Sequence, residues 1–415
     1  MTPRKHKSLV DTLFIFLTLL SIVLEMTFLF VSKEKNWRSL IWNGDTVGIF
    51  PDLFESIGAA MGKTPYDQHS IYPAFAYMLC YLLGLLIPNF NPKMWPDESL
   101  TREAVVVEFW FYTICFFLLF LLICKYLNKQ RKQQIVLFLF FIFSAPCIYM
   151  IERGNLVIVS MLLVFFFLME YDSDSAILRH FSYICLAAAS AMKIYPAVLG
   201  LLVLNTKRKG DVKYLLLYGI ILFIFPFAFF QGIRGIKLML INAFSLSNET
   251  AVDTRNFGYG FKVNIQNLFS AISEYVNYTE HNGLSAIIFM GEAFLLIISG
   301  LINAEKWKKA SSYILFVILI PTFSWIYNVV YLLPVFVLFL NNNGLKRRED
   351  IVYLILFLFS FTSFPCRQIL KSLEGANKMT ISTVICSTSM LIMSIMLFFD
   401  GISYKLWGGE KIIYE

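Results

Sequence analysis

Between Asn43 and Ala74 the chain gathers Asp45, Asp52, Glu55, Asp67 and His69 in one polar, turn-rich stretch of an otherwise apolar sequence. Carboxylates grouped like this suit removal of a proton from a hydroxyl, the work of a general base. Further along, Arg153 (within Glu152-Arg153-Gly154-Asn155), Lys193 (just before Tyr195-Pro196), Arg255 and Lys262 supply positive charge near turns. Carboxylates and cations together fit transfer of a group away from a phosphate. The carboxylate takes the acceptor's proton while Arg and Lys hold the leaving phosphate. Asp52 and Asp45 are the candidate bases, Arg153, Lys193, Arg255 and Lys262 the candidate phosphate ligands. Glu55, His69, Tyr72 and Asn155 are the candidate substrate contacts.

Each residue also has a purely structural use. Asp45 and Asp52 stand where a short helix could begin and could cap it. Arg153 could pair with Glu152 at a water boundary. Lys193 could snorkel to an interface, although the Tyr195-Pro196 that follows favours an unwound site. Tyr72 could be an interfacial aromatic. Familiar nucleotide and hydrolase motifs are absent: no P-loop, no Gly-x-Gly-x-x-Gly, no His-Glu-x-x-His, no Gly-x-Ser-x-Gly. An Asp-x-Asp string occurs as Asp172-Ser173-Asp174, on the side expected to face the cytoplasm. With only four histidines, widely spread, no metal site and no cofactor are expected.

The elements that must position these residues are apolar helices. Of 415 residues, 58% are hydrophobic and 15% charged, against about 25% charged in average globular chains. Repeated apolar runs of helical length make this an integral membrane protein. The net charge of +7 sits in short clusters between those runs, which marks cytoplasmic loops rather than a nucleic-acid surface. Seven cysteines lie mostly within apolar runs without metal-ligand spacing, as small hydrophobic side chains.

If the clusters Lys125–Lys132, Lys207–Lys213, Lys306–Lys309 and Lys346–Arg348 are all cytoplasmic, an even number of crossings separates neighbours. The run 9–31 is then a retained first span, and 71–88 a juxtamembrane or re-entrant helix in the first outer loop. The expected fold is an all-α polytopic transmembrane bundle of about twelve spans forming one domain over residues 1–415. Its first outer loop is 32–104, its second 232–284, and both termini are cytoplasmic. The candidate residues then converge on the outer face of the plasma membrane.

The ordered strings Gly44-Asp45-Thr46, Asp52-Leu53-Phe54-Glu55-Ser56-Ile57, Pro65-Tyr66 and Ile71-Tyr72-Pro73 resemble the first outer loop of GT-C-fold polytopic glycosyltransferases. The likeness is to glycosyltransferase family 87, the polyprenol-phosphate-mannose-dependent mannosyltransferases, and their bacterial relatives. Glu152-Arg153-Gly154-Asn155 and Ala191-Met192-Lys193-Ile194-Tyr195-Pro196 resemble two further turns of that family. Ala74 replaces a second proline, and Glu55 stands where relatives often have Asn.

The resemblance implies an inverting glycosyltransferase acting on a polyprenyl-phosphate sugar, a hexose such as mannose, with Asp52 the leading base and Asp45 second. Its partners are a lipid-linked sugar donor, a glycan or glycolipid acceptor and membrane lipids, with no nucleic acid. The alternatives are a transporter or flippase of lipid-linked sugars, which calls for repeated halves that the sequence does not show, and a polysaccharide polymerase or ligase.

Overall fold

The computed structural model describes residues 16, 19, 20, 23, 51–68, 70–88, 90, 102–252, 282–321, 324–342, 348–362 and 381–406. Among them there is no β-strand, and 15 α-helices follow one another. They are α1 (Pro51–Met61), α2 (Ala74–Leu85), α3 (Arg102–Tyr126), α4 (Arg131–Ile142), α5 (Ala145–Arg153), α6 (Val157–Glu170), α7 (Ala176–Met192) and α8 (Leu201–Leu204). After these come α9 (Val212–Ile224), α10 (Gly232–Val252), α11 (Asn282–Ile302), α12 (Lys306–Leu319), α13 (Leu332–Asn341), α14 (Arg348–Phe361) and α15 (Ile381–Leu406).

Among the described residues, three helical stretches suffice by length and apolar composition to cross a bilayer: Glu103–Tyr126, Lys209–Ala228 and Ile385–Leu406. A fourth arises if α4 and α5 make one span. Further apolar helical stretches have 10–17 residues, among them the Met290–Ile302 part of α11, and at 1.5 Å per residue these fall short of a hydrocarbon core of about 30 Å. A helical membrane protein is plain, while helix length alone accounts for three or four of the twelve expected crossings.

The differences have local causes. The apolar run 135–151 divides into α4 and α5, bent by 54° at the break. Pro146, the second residue of α5, has no N–H to donate to the Ile142 carbonyl and its ring would crowd that carbonyl, so one continuous helix cannot run through this point. Run 197–204 is a 3-10 turn over Tyr195–Gly200 followed by the single turn of α8. Within run 71–88, α2 has 12 residues, about 18 Å of helix.

The chain packs as two compact units. The first comprises residues 44–126 and 146–254. Its centre is α6, where Val157, Ile158, Met161, Val164, Phe165, Phe167 and Leu168 are all buried. α6 packs against α3 and α7, α7 against α2 and α9, and α1 against α2. Gly84 lets α1 and α2 approach, since a Cβ there would lie 2.8 Å from Met61 and 3.0 Å from Ile57. Bonds between helices define two polar ends of this unit. At one, Tyr112 of α3 meets the backbone of Asn155, just before α6. At the other, Tyr126 donates to Glu170 at 2.6 Å and Arg179 pairs with Asp211 at 2.9 Å. The 14 residues of α6 hold the two ends about 21 Å apart.

The second unit comprises residues 1–43, 127–145 and 255–415. Its described helices pack α11 on α12 and α15, α12 on α13, and α14 on α15. Gly300 leaves room for Tyr313, whose ring a Cβ would meet at 2.4 Å. A polar knot joins three of these helices. Lys308, nearly buried on α12, pairs with Asp400 of α15. Tyr353 of α14 donates to the same Asp400 carboxylate at 2.9 Å.

Candidate active site

Four separate pieces of the first unit bring the expected residues together. α1 begins at Pro51, a residue suited to a helix's first turn, and Asp52 stands within that turn. Leu53, Phe54, Ile57 and Ala60 are buried. Asp52 and Glu55, three residues apart, share the remaining face.

The Glu152-Arg153-Gly154-Asn155 turn closes α5. The Gly154 N–H donates to Ile151 O at 2.9 Å and the Asn155 N–H to Met150 O at 3.0 Å. Gly154 lies in the left-handed region at φ 66°. This is a Schellman ending. It leaves Arg153 as the last helical residue and sends the chain back, so that Asn155 faces the same way. Asn155 is buried, and its Oδ1 accepts the Val157 N–H at 3.0 Å at the start of α6.

Asp52 is held by this turn at both carboxylate oxygens. Arg153 Nη2 donates to Oδ1, and Asn155 Nδ2 donates to Oδ2 at 3.0 Å. For Asp52 the capping use is not what is found. Asp52 sits inside the first turn, not at the cap position, and spends its oxygens on another element. Arg153 pairs with Asp52 across 101 residues of sequence.

Lys193 follows the last residue of α7 in extended backbone (φ −141°, ψ 123°) before the Tyr195–Gly200 turn, as the Tyr195-Pro196 after it suggested. It is 7% exposed and lies 5.8 Å from the Tyr72 ring centroid; burial pushes the pKa of its ammonium down to about 7, with the charge of Asp52 partly opposing the shift. The Tyr72 phenol is within hydrogen-bonding reach of Asn155. Glu55 reaches the surface, yet the surrounding protein and the neighbouring Asp52 raise its carboxyl above its ordinary pKa, with Arg153 partly opposing them. The structure therefore collects Asp52, Glu55, Tyr72, Arg153, Asn155 and Lys193. Asp45, His69, Arg255 and Lys262 lie outside the described residues.

Sequence reasoning passed over several residues here. Glu108 on α3 is 1% exposed, and neither carboxylate oxygen has a hydrogen-bond partner among the described residues. It precedes by one helical turn Tyr112, whose hydroxyl is shared between the carbonyls of Met150 (3.1 Å) and Asn155 (3.2 Å). A lone carboxylate inside an apolar run was the available signal. Gln231 and Asn242 hold the loop before Tyr72, and no sequence pattern points to them. At the opposite end of the unit, Asp174 pairs with Arg208 at 3.0 Å, and Arg208 and Arg179 each donate to the Ser173 carbonyl at 2.9 Å. The Asp-x-Asp string is thus engaged by arginines. Among the described residues no three His, Cys, Asp or Glu side chains gather as a metal site would require.

A carboxylate fixed beside a guanidinium, with a buried lysine against a neighbouring phenol, can accept a proton while positive charge waits for an anionic leaving group. Compared with known proteins, residues 71–320 match the model of glycosyltransferase family 87, more than half of the chain. The match includes Tyr72, Glu108, Arg153, Asn155 and Lys193, and starts after Asp52 and Glu55. No curated protein matches the chain.

Proposed function

The chain belongs to glycosyltransferase family 87, and from that premise we propose that this membrane transferase moves a sugar from a polyprenyl-phosphate carrier to a glycan or glycolipid acceptor. Transfer takes place at the outer face of the plasma membrane, in a GT-C-type bundle, with inversion at the anomeric carbon. The observation that carries the reading is the Asp52 carboxylate, gripped at both oxygens by Arg153 and Asn155.

In the step itself, the acceptor oxygen bonds to the anomeric carbon as the bond from that carbon to the phosphate oxygen breaks. Polyprenyl phosphate leaves with the electron pair, and Asp52 takes the acceptor's proton. Arg153 and Lys193 neutralise the departing phosphate, with Arg255 and Lys262 assigned to the same task and Asp45 to orienting the loop or the acceptor. Asn155 orients Asp52. Glu55, Tyr72 and His69 are assigned to the sugar hydroxyls, and a hexose such as mannose is the assigned sugar. No divalent ion is given a role, since the chain's own cations fill it.

The outward orientation is supported by the two ends of the first unit. Lys125, Arg179 and Arg208 belong to the end opposite the Asp52 cluster, and Lys and Arg mark the cytoplasmic side. Nucleotide sugars are cytoplasmic, so an outward site calls for a lipid-phosphate donor.

Purified full-length protein in lipid vesicles, offered several polyprenyl-phosphate sugars and a lipid-linked glycan acceptor, tests this. We expect transfer from one of them. Asp52→Asn, still able to accept from Arg153, should fold, bind donor and transfer about 10²–10⁴-fold less. Full transfer by Asp52→Asn removes it as the base. Transfer from a nucleotide sugar alone would overturn the donor assignment.

A further inference from the structure

The helix α10 has two faces that meet different surroundings. Gly235, Met239 and Asn242 are buried in the first unit, whereas Ile233, Lys237, Leu240, Ile241 and Phe244 are exposed. The exposed positions recur at i, i+4, i+7, i+8 and i+11, which draws one stripe along the helix. Exposure is not marginal: Ile233 is 86% and Phe244 70% exposed.

The stripe continues a surface already assigned to lipid. The candidate span Lys209–Ala228 ends just before α10, and its Leu216, Leu217, Ile220, Ile221 and Ile224 are exposed as well. Gln231 and Gly232 then adopt φ 59° and 57°, two consecutive left-handed residues that turn the chain sharply. α10 packs on the Phe225–Ala228 turn at the end of that span. Its apolar stripe therefore starts at the rim of the lipid-facing surface. Lys237, in the middle of the stripe, has a long stem that can keep its ammonium among lipid phosphates while covering apolar surface.

We propose that α10 is an interfacial helix whose Ile233–Phe244 stripe is buried in the headgroup–acyl boundary of the bilayer, and that this contact holds the loop carrying Tyr72. The buried face of α10 makes the second connection. Asn242 Nδ2 donates to Tyr66 O at 2.9 Å and to Ser70 O at 3.1 Å, and Gln231 Oε1 accepts the Tyr66 N–H at 3.3 Å. Gly235 admits the Tyr66 ring, which a Cβ would meet at 3.1 Å. The Tyr66 hydroxyl in turn donates to Tyr72 O at 3.2 Å. A helix seated on the membrane is thus joined, through Tyr66, to the backbone of a site residue. Amphipathic helices bind bilayers through just such an apolar face flanked by basic residues.

The test uses full-length, cysteine-free protein in vesicles of phosphatidylcholine and phosphatidylglycerol, carrying an environment-sensitive fluorophore on a single introduced cysteine. Labels at 233, 240 and 244 should be quenched by spin labels attached to shallow acyl positions of the lipid and be protected from aqueous iodide. A label at 174, on an exposed side chain at the other end of the unit, should show the reverse. Iodide quenching at all three stripe positions puts the helix in water and overturns the proposal. Protection from both quenchers means that protein, such as a second copy, covers the stripe, and overturns it equally. For the connection to the site, Leu240→Asn with Phe244→Asn should speed amide exchange over Tyr66–Tyr72 in vesicles while α6 stays protected. Unchanged exchange in that loop refutes the coupling. Neither readout depends on sugar transfer, so failure here and failure of the proposed activity are separable.

Discussion

Asp52 has no free oxygen: Arg153 and Asn155 occupy both. Its guanidinium partner is also the cation best placed for the phosphate. Arrival of the donor should draw Arg153 toward phosphate and release the Asp52 oxygen it holds, so donor binding precedes proton abstraction. Arg153→Gln is therefore expected to weaken donor binding clearly more than it lowers thermal stability. Unchanged donor affinity in both Arg153→Gln and Lys193→Met would sink the phosphate assignment. Glu55 offers a second assignment for the base, because no hydrogen bond to its carboxylate is found among the described residues and its pKa is raised by burial and by Asp52. A raised carboxyl is stabilised in its protonated form, so Glu55 favours the fold at low pH and loses that contribution as pH rises through its shifted value. Glu55→Gln should hence melt higher than wild type at neutral pH and equal to it in acid. If Glu55 were the base, the acid limb of the transfer rate would sit above the ordinary glutamate range and vanish in Glu55→Gln. If Asp52 is the base, that limb persists in Glu55→Gln.

At the scale of elements, the site depends on how helices end. The Schellman ending of α5 is what turns Arg153 and Asn155 onto one carboxylate, and Gly154 at φ 66° is its requirement. A Cβ in the left-handed region costs about 1–2 kcal/mol. Gly154→Ala should therefore lower stability by about that amount and reduce transfer disproportionately, because Asn155 shifts with the turn. Normal transfer with an unchanged melting temperature would show that the turn tolerates other geometries. Gly235 is the corresponding point for the Tyr66 loop. Its Cβ would lie 2.7 Å from the Phe230 carbonyl, backbone that cannot swing aside. Gly235→Ala should cost about 1–3 kcal/mol by overpacking, read as a fall in melting temperature. The Arg-Gly-Asn and Lys-x-x-Pro turns could be found in sequence because glycine and proline mark them. The hold of Gln231 and Asn242 on Tyr66 could not, since polar residues 165 and 176 positions away carry no periodic signal.

For the molecule as a whole, orientation is the testable consequence of its charge. In a cysteine-free variant, labelling from outside intact cells should reach single cysteines at 52 and 262 and miss 129. Labelling at 129 but not at 262 would reverse the arrangement. In the second unit, Lys308 is nearly buried and shares Asp400 with Tyr353. Removing one partner of a buried pair leaves a charge without compensation and costs about 3–5 kcal/mol. Asp400→Asn should lower the melting temperature of the purified protein markedly, while Tyr353→Phe, which keeps the ion pair, should cost much less. Equal, small effects would mean that the pair is hydrated and contributes little.

What the sequence determined by itself was the class of molecule and the pieces of its site. Apolar runs of helical length can be buried only in lipid or in a helical core, so composition and periodicity are enough to declare a helical membrane protein. The polar strings around Asp52, Arg153 and Lys193 stood out because ionisable residues are costly in such surroundings, and their order carried the likeness to the family whose model matches. The tertiary structure alone decided which of these residues meet. Asp52 and Arg153 are brought together by the packing of α1, α2, α6 and α7 and by one left-handed glycine, and a pairing across 101 positions is a property of that packing rather than of either local string. Helix breaks were decided there as well. An apolar run looks the same in sequence whether it crosses a bilayer whole or divides at Ser144 and Pro146, because hydropathy measures what a segment avoids and not where its backbone hydrogen bonds stop.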